Sequence, residues 1–229
     1  MQRLSIIVPS LNEAAFIPGL VQHLQPLRAR GCEVIVMDGG SADDTPALAA
    51  PHVDRMMIVE PGRAPQMNKG AAIARGEVLL FLHADTFLPE NADKLILEAL
   101  QCSGKNWGRF DARIAGGHPL LRVVEFMMNL RSRLTGIATG DQAIFVTHEM
   151  FNAVGGFPAI ALMEDVALSR QLRRHGPPLC LRQKVATSAR RWEGNGVVRT
   201  VFLMWWLRIA YFFGADPERL ALTYDERKD

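Results

Sequence analysis

Carboxylates and amides fall at the ends of short apolar runs in this sequence. The segment Gly76 to Pro89 carries five apolar residues and closes in His83, Ala84 and Asp85. Leu4 to Val8 runs into Pro9, Asn12 and Glu13, and Glu33 to Met37 runs into Asp38 and two glycines. A carboxylate beyond the carboxyl end of a buried strand lies where open α/β sheets place their ligands. There it can hold a metal or a phosphate group, or it can cap the helix that follows. For Asp85 both readings stay open on these residues alone. Glu164 and Asp165 are adjacent acids at the start of a helical pattern. They can act as acid and base, or simply complement the helix dipole.

The elements that would position these groups are legible from periodicity. Apolar runs near 4–8, 33–37, 56–59 and 78–82 alternate with helical spacing, as in Leu20, Val21, Leu24 and Leu27. Strands and helices alternating at this pitch imply βαβ units and a largely parallel sheet, which gathers the three loops on one edge. Helices are expected from Asn12 to Gly31, from Ala64 to Ala74, from Pro89 to Leu100, over 119–134 and over 164–175. Residues 107–114 alternate, Phe110, Ala112 and Ile114 against Arg109, Asp111 and Arg113, which reads as a half-buried strand.

Composition narrows the classes. With 48% hydrophobic and 22% charged residues the chain reads as an ordinary globular protein, and its net charge of +2 gives no electrostatic case for nucleic acid. Its three cysteines are scattered, with no CxxC pair, which fits buried thiols in a reducing compartment. The start is too short an apolar run for a signal peptide, so a cytoplasmic location is expected. There is no GxGxxG in the first loop and no GxxxxGK[ST] anywhere, which argues against a dehydrogenase or a P-loop enzyme.

Taken together, residues 5–13, 33–45, Asn68 to Gly70, the strand ending at Asp85, and Glu164-Asp165 resemble a family 2 glycosyltransferase of the GT-A fold, in the expected order. The short length and late elements resemble a compact bacterial subgroup. The resemblance implies an α/β GT-A fold, a mostly parallel central sheet flanked by helices. It implies a catalytic domain over 1–192 and a C-terminal aromatic helical extension over 193–229. It implies an inverting transfer from a nucleotide-diphosphate sugar to a small-molecule or lipid-linked acceptor, with no nucleic acid involved. Pro9, Asn12, Glu13 and Asp38 would then serve the donor nucleotide, Asp38 at the base. Arg63, Asn68 and Lys69 would reach toward the diphosphate. Asp165, beside Glu164, would be the general base. Asp141 and Gln142 would meet sugar or acceptor, as would Arg191 and Trp192 of a late Arg-Arg-Trp element.

The family's Asp-x-Asp metal motif reads His83-Ala84-Asp85 here, so Asp85 is the expected ligand of a divalent Mn or Mg ion, and His83 is expected to be structural. Alternatives are a nucleotidyltransferase-like enzyme and a non-catalytic nucleotide-sugar binding protein. The stretch 197–213 is long and aromatic but carries Arg199 and Arg208. It suits packing on the domain or in a homodimer, membrane-surface contact at the inner face, or covering a lipid-linked acceptor, with packing first, the interface second and a spanning helix last.

Overall fold

The computed structural model describes residues 3–225, apart from the side chains of residues 191, 195 and 225. Strand β1 (Leu4–Ser10) is buried along its whole length, which its apolar run requires of a central strand. Helix α1 (Ile17–Ala29) leads to β2 (Glu33–Asp38), α2 (Thr45–Ala49) to β3 (Arg55–Ile58), and α3 (Arg63–Ile73) to β4 (Val78–Phe81). These four strands pair in parallel in the order β3-β2-β1-β4, so the ends of β1, β2 and β4 share one edge as expected.

The second half departs from the parallel pattern. It contains β5 (Thr86–Phe87), α4 (Ala92–Ser103), β6 (Trp107–Ala115), α5 (Leu120–Thr135), β7 (Phe145–Thr147), α6 (His148–Ala153), α7 (Glu164–Arg173) and β8 (Leu179–Ser188). Strand β7 lies antiparallel between β4 and β6, β8 runs parallel to β6, and β5 closes the order antiparallel to β8. The eight-stranded sheet is therefore mixed, wholly parallel in its first half and parallel in its second half only between β6 and β8. Helices α8 (Arg190–Asn195), α9 (Val197–Phe212) and α10 (Pro217–Asp225) follow. Leu203 and Leu207 of α9 and Leu220 of α10 pack on Leu162, Met163 and Val166, so the aromatic helix docks on the domain. No helix among the described residues is long and apolar enough to cross a membrane.

Two expectations fail for physical reasons. Helix α1 begins at Ile17 rather than near Asn12, because Asn12 sits in the left-handed region at φ 53° and its polar groups bond the next loop. Strand β6 is covered on both faces at its start, so Arg109 is wholly buried and Asp111 nearly so. The charged alternation marks an internal ion-pair network: Arg109 and Arg133 both pair with Asp111. Helix α5 is stitched to β6 by Asn129, whose amide exchanges two 2.9 Å bonds with the backbone of Ala112, and by Glu125, which accepts from Ile114. Of the cysteines, Cys32 is buried, Cys180 is half-buried and Cys102 is exposed on α4, against the expectation of three buried thiols.

Helix α3 approaches the sheet at Gly70. A Cβ there would stand 2.5 Å from Ile7 Cγ2 and 3.1 Å from Met37 Cγ. Gly70→Ala should therefore destabilise the protein despite alanine's better helix propensity, since overpacking costs about 1–3 kcal/mol against a gain of about 1. Calorimetry should show a melting temperature lowered by several degrees. An unchanged or higher value would mean that α3 can lift off the sheet without loss.

Candidate active site

The loops after β1, β2 and β4 are bound to one another before any ligand is considered. Gln66 of α3 donates 2.7 Å bonds to the carbonyls of Ser10 and Met37, joining the ends of β1 and β2. The Asn12 N–H donates to Ser41 Oγ and its Oδ1 accepts from Ala42, while the Glu13 N–H donates to Thr45. Asp38 is fully buried. Its Oδ2 accepts from the N–H groups of Gly40 and Ser41, and its Oδ1 from the hydroxyls of Ser41 and Ser10. Those four bonds occupy the four acceptor positions of a carboxylate. Asp38, expected at a base, is instead the internal scaffold of its loop.

A cavity of about 620 Å³ opens on this edge. Pro9, Asn12, Glu13, Arg63, Asp85, Asp141 and Trp192, all singled out from the sequence, line it. Burial raises the pKa of Glu13, Arg190 lowers it, and nearby Asp85 raises it again. Arg190 holds both oxygens of Glu13 at 3.3 Å and lies 4.6 Å from the ring of Phe16. This end of the cavity is polar and carries both signs of charge. Less polar walls are supplied by Ile114, Met128, Leu162, Met204 and Tyr224.

Other expected residues stand outside the lining. Asn68 exchanges two bonds with the backbone of Phe157, tying α3 to the loop after α6, and Lys69 points to solvent. Gln142 is buried and closes a capping box with Thr139, so its amide serves the turn. The side chain of Arg191 lies outside the described residues. Glu164 and Asp165 sit just behind the cavity wall. Asp165 Oδ2 accepts from the Gly140 N–H at 2.8 Å and Oδ1 from the Val166 N–H at 2.7 Å. It thereby fastens the turn that carries Asp141 to the start of α7. Buried Arg131 has its pKa lowered to about 10, by burial first and then by Arg208, while Asp165 opposes the shift. Glu164 is 4% exposed, and burial, then Asp165, raises its pKa to about 6, with Arg63 and His83 pulling the other way.

His83 lines the cavity beside Asp85 and leans on the turn that carries Asp141. Its Nδ1 lies 3.5 Å from Asp141 Oδ1, and its ring packs so closely on Gly140 that a Cβ there would stand 2.3 Å from Nε2. Asp85 lines the cavity, and its hydrogen bond to Thr86 is long at 3.4 Å. Among the described residues no three His, Cys, Asp or Glu side chains converge as a metal cage. Of the carboxylates that line the cavity, Glu13 is engaged by Arg190 and Asp141 lies beside His83, and Asp85 fits a divalent ion whose remaining ligands are substrate phosphates and water.

The cavity also takes Arg190 of the Arg-Arg-Trp element, and Gln66, Met204 and Tyr224, which were not singled out from the sequence. Gln66 stands one turn after Arg63 on α3.

The Glycosyl transferase family 2 model matches residues 5–155. A PGL/p-HBAD biosynthesis glycosyltransferase of Mycobacterium tuberculosis is 38% identical over 98 residues, a match spanning 40% of this chain and 38% of that protein. Staphylococcus aureus TarS 1–349 in complex with UDP-GlcNAc superposes at a TM-score of 0.67 with 18% identity, over 81% of this chain and 58% of that one. Glucosyl-3-phosphoglycerate synthase of M. tuberculosis, solved with Mn2+, UDP and glucosyl-3-phosphoglycerate, gives 0.61 with 20% identity, over 81% and 72%.

The buried acid yields a test of this geometry. Because the folded pKa of Glu164 lies above its ordinary 4.5, the folded state holds the extra proton between about pH 4.5 and 6. Stability from this group is therefore full below 4.5 and is lost as pH rises through 6, by on the order of 1–2 kcal/mol. Glu164→Gln should melt higher than the parent at pH 7.5 and show no such gain at pH 4. An equal effect at both values would mean that folding does not raise the pKa of Glu164.

Proposed function

The chain belongs to glycosyltransferase family 2, and on that premise we propose that it transfers a sugar, with inversion, from a nucleotide-diphosphate sugar to an acceptor hydroxyl. The observation that carries this reading is the single cavity rimmed by the loops after β1 and β4, with Arg63 and Arg190 beside Asp85 and Glu13. The nucleotide lies against the Pro9–Glu13 loop, which the saturated Asp38 holds in place with the Gly40–Ser41 turn. Arg63 and Arg190 face the diphosphate, where two cations offset charge that builds on the leaving group. A divalent Mn or Mg ion between Asp85 and the diphosphate would neutralise further negative charge there.

The acceptor enters between Asp141 and Trp192, with Met204 of α9 and Tyr224 of α10 in the C-terminal appendage walling the cavity. Asp165 takes the acceptor's hydroxyl proton as the oxygen bonds to the anomeric carbon. The bond to the diphosphate oxygen breaks on the opposite face, and the nucleoside diphosphate leaves with that electron pair. Each Asp165 oxygen accepts one backbone N–H and keeps a lone pair for this task. The raised pKa of Glu164 favours a second reading, in which Glu164 is the base and Asp165 positions it. Relatives in complex with UDP-GlcNAc or with UDP and Mn2+ support the donor class.

A thermal-shift panel of UDP- and GDP-sugars with Mn2+ or Mg2+ tests the donor assignment. A true donor at a hundred times its Kd should add about 2.7 kcal/mol, a rise of roughly 5–10 °C for a chain of this size. No shift with any nucleotide and either metal would defeat it. Asp165→Asn should keep the donor-induced shift and lose transfer by at least a hundredfold, a usual scale for a general base. Near-parent turnover in that variant, with loss in Glu164→Gln, would move the base to Glu164. Asp85→Ala should keep the fold and abolish any metal dependence of the donor shift.

A further inference from the structure

The outward faces of α5 and α9 are apolar where nothing in the described chain covers them. Phe126 is 64% and Leu134 77% exposed on α5, and Phe202 is 72% and Phe212 70% exposed on α9, with Trp205 and Trp206 between them about half exposed. Scattered exposed apolar residues need no account, but two such stripes on neighbouring helices mark a contact surface. The helices are neighbours, because Leu121 and Val124 of α5 share a cluster with Val197 of α9.

Charge decides what covers this face. The two helices carry five arginines, of which Arg131 and Arg208 turn inward toward Asp165 and Arg122, Arg133 and Arg199 remain outside, and one carboxylate, Glu125, which is buried. Beside Phe126 and Leu130 opens a groove of about 500 Å³, rimmed by Arg122, Arg133, Arg182 and Lys184. Its two carboxylates are already engaged, Glu125 by Arg122 and Asp111 by Arg109 and Arg133. Arg182 and Lys184 have no ion pair among the described residues. A symmetric second copy would set this cationic rim against itself. An anionic bilayer satisfies both parts, with phosphates at the cations and the acyl boundary at the aromatic side chains; tryptophan in particular favours that boundary.

We propose that the α5–α9 face seats this protein on an anionic lipid surface, with the groove at Arg182 and Lys184 taking a headgroup phosphate. Attachment is peripheral and reversible, resting on side chains of two surface helices.

Co-sedimentation of the full chain with phosphatidylcholine vesicles, with and without phosphatidylglycerol, tests this. The protein should pellet with the anionic vesicles at low salt and release as salt rises. Arg182→Gln with Lys184→Gln should weaken binding about fivefold for each charge removed. Phe202→Glu with Trp205→Glu should abolish it, with circular dichroism confirming that the variant is folded. Failure to pellet with anionic vesicles would overturn the proposal, as would equal binding to pure phosphatidylcholine or unchanged binding in both double variants. A dimer seen by sedimentation velocity, dissociated by the Phe202 and Trp205 changes and indifferent to vesicles, would give the face to a second copy instead.

Discussion

The side chain of Gln66, bonded at once to the carbonyls of Ser10 and Met37, fixes the relation between the first two strand ends. It is buried, so both N–H bonds matter: an unmade polar group in that place would cost about 1–3 kcal/mol. Asp38 performs the companion task within its loop, each of its acceptor positions filled by a local donor. Between them these two side chains turn separate loops into one rigid rim. The cavity-lining residues Asn12, Glu13 and Arg63 are therefore held by the same loop network. A site built this way is pre-organised, which lowers the entropy lost when a substrate binds.

A second link joins the two halves of the sheet. Asp165 accepts from the Gly140 N–H, and Gly140 in turn admits the His83 ring at a distance no side chain would allow. The end of β4, the turn carrying Asp141 and the first turn of α7 form one connected unit. The departure at His83 from an Asp-x-Asp pattern thus has a structural reason. An imidazole can lean on the 140 turn and approach Asp141, where an aspartate would set a second carboxylate beside it. Asp85 lines the cavity with no arginine bound to it, unlike Glu13, and a metal held there would take most of its ligands from the substrate.

The C-terminal helices connect the site to the surface. Met204 of α9 and Tyr224 of α10 wall the cavity, while the opposite side of α9 carries exposed phenylalanine and tryptophan. A single helix thus bounds the site and the apolar outer face. An acceptor with an apolar portion would meet both.

Much was legible in the sequence because it is local. The unbroken apolar runs of β1, β2 and β4 specify buried parallel strands, and their order places Glu13, Asp38 and Asp85 at one edge. Family resemblance needs only those motifs in sequence order. Three matters needed the tertiary structure. The charged alternation of β6 reads as a solvent face, yet Arg109 is buried because α5, the next helix, folds back on the strand and Asp111 pairs with it, a docking that the strand's own alternation does not record. Asp38 and Asn68 read as ligand contacts, yet their hydrogen bonds are taken by the protein's own backbone and hydroxyls, partners that for Asn68 lie 89 residues away. The mixed second half of the sheet depends on β7 inserting antiparallel beside β4, a pairing between segments that no periodicity connects. Sequence determined which residues could do the chemistry, because residue type and strand-end position are local properties. Tertiary structure decided which of them face the cavity, because a polar group is free for a ligand only after the fold has taken the donors and acceptors it needs.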